Sequence, residues 1–225
     1  AILQISKTSN NHIRIVKNTL SPVFIGQPRS QIQDVRSYIF CLSAAYFHKN
    51  LHLLPKIAYL LKSQTNEDFC FVITIPFENP IYRDIKKNII KYHVEGCIIN
   101  LGPITQFECI QWYRKSAVVF LPTYLETFSV TLLEAAYFGL PTVTTDFFFN
   151  TDVLKNSGIY FKPGSLKSAV SKLITALDKG RYRDPDTLIS DDEFKSIYGD
   201  YSDTFSQTVD FFESIKVDVS FTCKS

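Results

Sequence analysis

Two glutamates in the middle of the chain stand where their side chains could bind a ligand. Glu126 lies in a loop just ahead of a predicted helix, and Glu134 lies inside that helix. The start of a helix offers unpaired N–H groups and a partial positive charge, which suit a phosphate. Glu134 lies too deep in the helix to interact with the partial positive charge at its start. Its carboxylate suits a pair of sugar hydroxyls instead. Glu126 could reach a second sugar beyond the phosphates.

The elements around these glutamates are predicted from apolar runs and helix stop signals. Residues 117–121 form a short apolar run of buried-strand length, which a proline ends. Ser129 is a candidate N-cap, but Thr131 and Glu134 have the spacing of a capping box, so the helix can start at either position. Gly139 then ends the helix. The stretch therefore predicts strand, loop, helix and a further strand.

The same alternation of apolar strands and amphipathic helices runs through most of the chain. It predicts strands at residues 37–43, 69–75, 97–101, 117–121, 142–145 and 158–161, with 12–16 as a candidate edge strand. It predicts helices at 51–61, from Pro80, at 107–113, from Ser129 or Thr131, at 165–180 and at 201–215, and leaves 152–154 unclassified. Such alternation gives an α/β fold whose parallel sheet is covered on both faces. The loops at 44–50, 102–106 and 122–129 should then open at one edge.

One phrase resembles a known family. Glu126 is followed after seven residues by Glu134, which opens the run Glu-Ala-x-x-x-Gly-x-Pro-Thr-Val. In its strand–loop–helix–strand context this resembles the nucleotide-sugar-binding, C-terminal half of GT-B glycosyltransferases, specifically glycosyltransferase family 4. The resemblance covers residues 37–215 and implies a Rossmann-like parallel sheet with helices on both faces.

The resemblance implies a role for Lys49. In the family, a lysine in a phrase such as His-Lys-Asn grips the diphosphate, and Phe47-His-Lys-Asn-Leu51 is similar to that phrase. Taken without the family, the lysine of such a loop is a solvated surface residue. The family commonly has an arginine five or six residues earlier, where Ser43 and Ala44 stand here. Loss of one such charge at a leaving group can remove roughly 3 kcal/mol of barrier reduction.

The resemblance also implies roles for the residues of the central stretch. Glu134 holds the nucleotide ribose, and Glu126 contacts a hydroxyl of the donor sugar, which makes Lys49 and Glu126 the predicted catalytic residues. The alternatives are a capping-box acid at Glu134 and a solvent-facing acid at Glu126. Diphosphate and sugar contacts are also implied for the amides of Thr127, Phe128, Ser129 and Val130.

The implied activity is transfer of a sugar, with retention, from a nucleotide-diphosphate sugar to a glycan or lipid-linked acceptor, as in cell-surface polysaccharide synthesis. No metal or other cofactor is implied. Residues 1–36 are interpreted as a connector and the remnant of a missing N-terminal acceptor domain, residues 37–215 as the donor domain and 216–225 as a tail. The isolated fragment is expected to be inactive. Two alternatives are an inactive nucleotide-sugar-binding or scaffold module and a GT-B-like nucleotide-sugar epimerase.

Composition narrows the class of protein. An apolar content of 45% with 20% charged residues is typical of a soluble globular domain, and a net charge of +2 gives no reason to expect nucleic acid as a partner. Residues 1–66 contain eight lysines and arginines against one aspartate. That basic third predicts peripheral contact with the inner face of a membrane, contact with an anionic ligand, or a solvated surface that the acidic tail partly neutralises.

Cysteines and glycines exclude several kinds of site. The five cysteines form no C-x-x-C pair, so the sequence predicts neither zinc nor disulfides and favours the cytoplasm. Cys41, Cys70 and Cys97 lie in apolar runs and are expected in the core. The eight glycines form neither G-x-G-x-x-G nor a Walker loop, so a dinucleotide cofactor is not expected.

Overall fold

A computed structural model of the chain describes residues 18–30, 36–180 and 188–216, and for 211–216 only the backbone. The candidate edge strand at 12–16 and the tail beyond residue 216 lie outside the described residues.

The described residues form a parallel six-stranded sheet. Its strands are β1 (Ser37–Cys41), β2 (Phe69–Ile73), β3 (Ile98–Asn100), β4 (Ser116–Leu121), β5 (Thr142–Thr145) and β6 (Gly158–Phe161). Every neighbouring pair is parallel, in the order β3-β2-β1-β4-β5-β6. β2 and β4 are buried along their whole length, as expected for apolar strands covered on both faces. All six strands predicted in residues 37–161 are confirmed, as is the α/β fold class.

The described residues also form eight α-helices. These are α1 (Leu54–Lys62), α2 (Pro80–Tyr92), α3 (Gln106–Lys115), α4 (Val130–Tyr137), α5 (Phe148–Leu154), α6 (Leu166–Gly180), α7 (Asp191–Tyr198) and α8 (Tyr201–Lys216). The sequence predicted six of them. The pattern missed α7, in which only Phe194 is buried, and left α5 unclassified.

Two apolar clusters cover the two faces of the sheet. Side chains of α1, α2 and α6 pack against one face, and side chains of α3, α4, α5 and α7 pack against the other. Cys41, Cys70, Cys97 and Cys109 are buried free thiols, which confirms the predicted core position of the first three. In the described residues, no helix is long and apolar enough to cross a bilayer.

The segment at 18–30 packs on this domain. Leu20 and Phe24 are buried in the second cluster. The amide of Gly26 donates to the Tyr137 hydroxyl at 2.9 Å, and Arg29 donates to a main-chain carbonyl just before α7. These contacts hold residues 20–29 against the domain.

Candidate functional site

A cavity of about 270 Å³ opens at the carboxyl edge of the sheet, between the loops that follow β1 and β4. Because all six strands are parallel, these loops lie at the same edge, as the sequence predicted. The lining residues come from the end of each strand, its loop and the start of α4. They are Leu42, Ser43, Ala44, Lys49, Leu121, Pro122, Thr123, Glu126, Phe128, Ser129, Val130 and Thr131.

The loop that carries Lys49 is fixed to the loop after β4 by main-chain and side-chain hydrogen bonds. Lys49 ends a 3₁₀ turn, and Asn50 follows in the left-handed conformation with φ of 57°. The buried Asn50 side chain donates to the carbonyl of Pro122 at 2.8 Å. The amide of Tyr124 donates to the carbonyl of His48 at 2.8 Å. These bonds hold both loops in one arrangement.

Lys49 and Glu126 form an ion pair across the cavity. They are 77 residues apart in the sequence, and each side chain is 15% exposed. A cation and a carboxylate with little solvent around them interact more strongly than a surface pair does. The structure therefore excludes the two alternatives in which Lys49 and Glu126 are isolated, solvated loop residues.

The first turn of α4 forms one side of the cavity. Its N-cap is Ser129, which makes no side-chain capping bond, and its first turn contains no acid. Ser129, Val130 and Thr131 all line the cavity, so the positive end of the helix faces the same space as Lys49. A helix start and a lysine on one cavity are the usual protein partners of a phosphate.

Glu134 lies one turn further into α4 and is not among the residues that line the cavity. It is 9% exposed, and its Oε2 accepts a hydrogen bond of 2.6 Å from the buried Tyr113 hydroxyl. Burial raises the pKa of Glu134, and the bond from Tyr113 opposes that rise. Among the described residues, no side chain or amide donates to its other oxygen. The predicted capping box between Thr131 and Glu134 is therefore wrong, because α4 begins at Val130 and the Glu134 carboxylate is bonded to Tyr113.

The structure thus brings together five of the seven predicted site residues. Lys49, Glu126, Phe128, Ser129 and Val130 line the cavity, whereas Thr127 and Glu134 do not. Their predicted roles toward a ligand stay predictions.

Two residues that sequence reasoning missed support the site. Tyr113 positions Glu134, and Asn50 connects the two loops. The sequence signal for the turn after Lys49 was the residue type of Asn50, because asparagine adopts the left-handed conformation more readily than most residues.

The cavity has one cation. Among its twelve lining residues, Lys49 is the only positively charged side chain, and Ser43 and Ala44 occupy the positions where an arginine was expected. In the described part of the chain, no cluster of three His, Cys, Asp or Glu side chains has metal-binding geometry.

The sequence of the chain matches a known family. The sequence model of the family described as "Glycosyl transferases group 1" matches residues 27–186. A D-inositol 3-phosphate glycosyltransferase of Pseudarthrobacter chlorophenolicus is 30% identical over 99 residues, which cover 43% of this chain and 23% of that enzyme.

Solved structures share the fold at low sequence identity. The lipopolysaccharide outer core galactosyltransferase WaaB superposes with a TM-score of 0.67 at 17% identity, over 94% of this chain and 58% of that one. A point mutant of TarM from S. aureus, in complex with fondaparinux, alpha-GlcNAc-glycerol and UDP, superposes with a TM-score of 0.68 at 15% identity, over 94% and 41%. The chain therefore spans from about a quarter to under two thirds of these proteins.

Proposed function

The chain belongs to the group 1 glycosyl transferases, and from that premise we propose that its cavity binds the diphosphate and sugar of a nucleotide-sugar donor. The observation that carries the proposal is the convergence of Lys49, Glu126 and the first turn of α4 on one cavity. The ammonium group and the helix start supply positive charge for the diphosphate. Glu126 supplies an acceptor for a sugar hydroxyl.

Lys49 would change partners when the donor binds. In the ligand-free arrangement its charge is paired with Glu126. A diphosphate carries more charge than a carboxylate and offers more acceptor oxygens, so it competes for the ammonium group and leaves Glu126 to the sugar. The lysine would then stabilise the charge that develops on the departing nucleotide.

Glu134 fits the predicted ribose contact. Tyr113 holds one of its oxygens, which fixes the orientation of the carboxylate. A buried carboxylate with its second oxygen unbonded is suited to accept hydrogen bonds from a hydroxyl pair. This role extends the site one helical turn beyond the cavity.

We propose a retaining, metal-free hexosyl transfer of family 4 type to a glycan or lipid-linked acceptor, in the cytoplasm, for cell-surface polysaccharide synthesis. The acceptor would be bound by an N-terminal domain outside this chain, so the chain alone would bind donor without turnover. The chain spans less than two thirds of each relative named above, which supports this division into a donor-binding and an acceptor-binding domain.

The test is an assay of the longer protein that contains this chain, incubated with UDP-, GDP- and ADP-sugars. UDP is the first nucleotide to try, because the TarM complex contains UDP. Transfer to an acceptor supports the proposal, and epimerised donor without transfer contradicts it. Binding without either reaction, in the presence of a range of acceptors, would indicate the inactive module, for which the missing arginine at Ser43 and Ala44 is the supporting observation.

A further inference from the structure

The two helical layers of the domain differ in charge. Helices α1, α2 and α6, on one face of the sheet, contain nine lysines and arginines and two aspartates. Helices α3, α4, α5 and α7, on the other face, contain six acids and three cations. The net charge of the whole chain is only +2. The basic layer therefore results from where the charges are placed and not from a basic composition.

The cations of this layer are available to a partner. All nine are exposed. Among the described residues, only Lys87 has an ion-pair partner, the exposed Asp84 of the same helix, at 3.8 Å. The cations of α1 and α2, which form one continuous part of the layer, are Lys56, Lys62, Arg83, Lys86, Lys87 and Lys91.

Two large apolar side chains are exposed among these cations. Tyr59 is 50% exposed and Ile90 is 65% exposed. Ile90 lies four residues after Lys86 and three after Lys87, on the outward stripe of α2. Tyr59 lies between the two lysines of α1, and its ring contacts Tyr92 of α2 with centroids 5.8 Å apart. The exposed sides of the two helices therefore adjoin.

We propose that this α1–α2 face, defined by its six cations with Tyr59 and Ile90, binds the surface of an anionic lipid bilayer. Lysine and arginine are attracted to anionic headgroups, and an aromatic and an aliphatic side chain among them suit the headgroup region. A nucleic acid would use the cations but leave Ile90 without a role. The bilayer would lie against a helical layer, whereas the cavity opens at the edge of the sheet, so binding would leave the cavity open.

Membrane contact was predicted from the basic first third of the sequence. The five cations of that third that the structure describes do not all share one surface. Among its described cations, Arg29 pairs with Asp191, Arg36 with Asp68 and Lys49 with Glu126. The remaining two, Lys56 and Lys62, belong to the α1–α2 face, most of whose charge comes from α2.

Co-sedimentation with vesicles tests the proposal. The chain is mixed with vesicles of pure phosphatidylcholine, or with vesicles containing about 30% phosphatidylglycerol, at about 0.1 M salt. Each cation near an anionic surface contributes about fivefold in partitioning, so removal of three should weaken binding about a hundredfold. The test variant replaces Lys86, Lys87 and Lys91 with glutamine. The control removes three charges elsewhere, at Lys115, Lys155 and Lys195.

We expect wild type and control to bind the anionic vesicles and not the neutral ones, and the test variant to lose binding. Ile90→Ser should weaken vesicle binding several-fold at unchanged charge. Equal binding of wild type and test variant, equal loss in the control, or binding of single-stranded RNA without vesicle binding would overturn the proposal. None of these measurements uses the nucleotide cavity, so the outcome is independent of the proposed donor site.

Discussion

Neutralising Glu126 separates its two proposed effects, because the carboxylate repels a diphosphate and accepts a hydroxyl of the sugar. In Glu126→Gln, Lys49 no longer has an anionic partner in the cavity, while the size of the side chain is kept. The Glu126 carboxylate and one charge of a bound diphosphate, taken as about 7 Å apart, would repel each other by about 1 kcal/mol at an effective dielectric of about 40. That dielectric lies between those of the protein interior and bulk water. The value lies above the roughly 20 typical of pairs near a protein surface, because the diphosphate would lie in a cavity that opens to solvent. A diphosphate bears about two charges, so we expect the free nucleoside diphosphate to bind roughly five- to thirtyfold more tightly.

The same variant should bind the complete donor less selectively. Because the glutamine is a weaker acceptor than the carboxylate, the affinity ratio of nucleotide sugar to nucleoside diphosphate should fall. In the longer protein, the rate of transfer should fall too.

Calorimetric titration with UDP, GDP and ADP measures these affinities. The matched control is Asp178→Asn, which removes an exposed carboxylate in the last turn of α6, at the opposite edge of the sheet. If Glu126→Gln binds the nucleoside diphosphate no better than wild type, while the control is unchanged, the proposed competition for Lys49 is wrong.

Three further substitutions test other parts of the structure. Burial raises the pKa of Glu134 above the ordinary value of 4.5, so this group's contribution to stability is full below that value and is lost as pH rises through the raised pKa. In urea denaturation, Glu134→Gln should therefore gain stability relative to wild type as pH rises from 4.5 through the raised pKa of Glu134. Asn50→Ala places an alanine at φ of 57° and removes the bond to the neighbouring loop, so it should cost about 2–3 kcal/mol of unfolding free energy. Asn50→Gly removes the same bond but places a glycine at that φ, so it should cost only about 1 kcal/mol. Gly180→Ala would drive a Cβ into the carbonyl oxygen of Ala117 and should cost at least about 2 kcal/mol in the same assay, whereas Gly96→Ala meets open space and should change stability by less than about 0.5 kcal/mol.

Each of these expectations has a contradicting result. A stability difference between Glu134→Gln and wild type that does not vary with pH would show that Glu134 has an ordinary pKa. Equal losses for the alanine and glycine variants at Asn50 would mean that its backbone conformation is not strained for alanine. A Gly180→Ala variant as stable as Gly96→Ala would mean that α6 and β4 are not in close contact at this point.

The sequence was sufficient to predict the sheet and the meeting of the two loops. Apolar runs such as 69–75 and 117–121 have the length of strands and each is ended by a proline, so they were predicted as strands. Because parallel strands end at one edge, Lys49 and Glu126 were expected together despite the 77 residues between them.

What the sequence could not supply depends on packing. The bond from Tyr113 to Glu134 exists because α3 and α4 pack on the same face of the sheet, and no local pattern reports which side chains meet there. The local spacing of Thr131 and Glu134 instead suggested a capping box. Helix α7 was missed because it buries a single large side chain, Phe194, and so gives little apolar periodicity.

The central claim is that a nucleoside diphosphate binds between the loop of Lys49 and the first turn of α4. Amide chemical-shift mapping by NMR, during titration with the nucleoside diphosphate that binds best, locates the ligand directly. We predict that the largest shifts fall within residues 43–50 and 126–131, and that Lys49→Met weakens binding at least about tenfold. Largest shifts at the opposite edge of the sheet, or unchanged affinity in Lys49→Met, would contradict the claim.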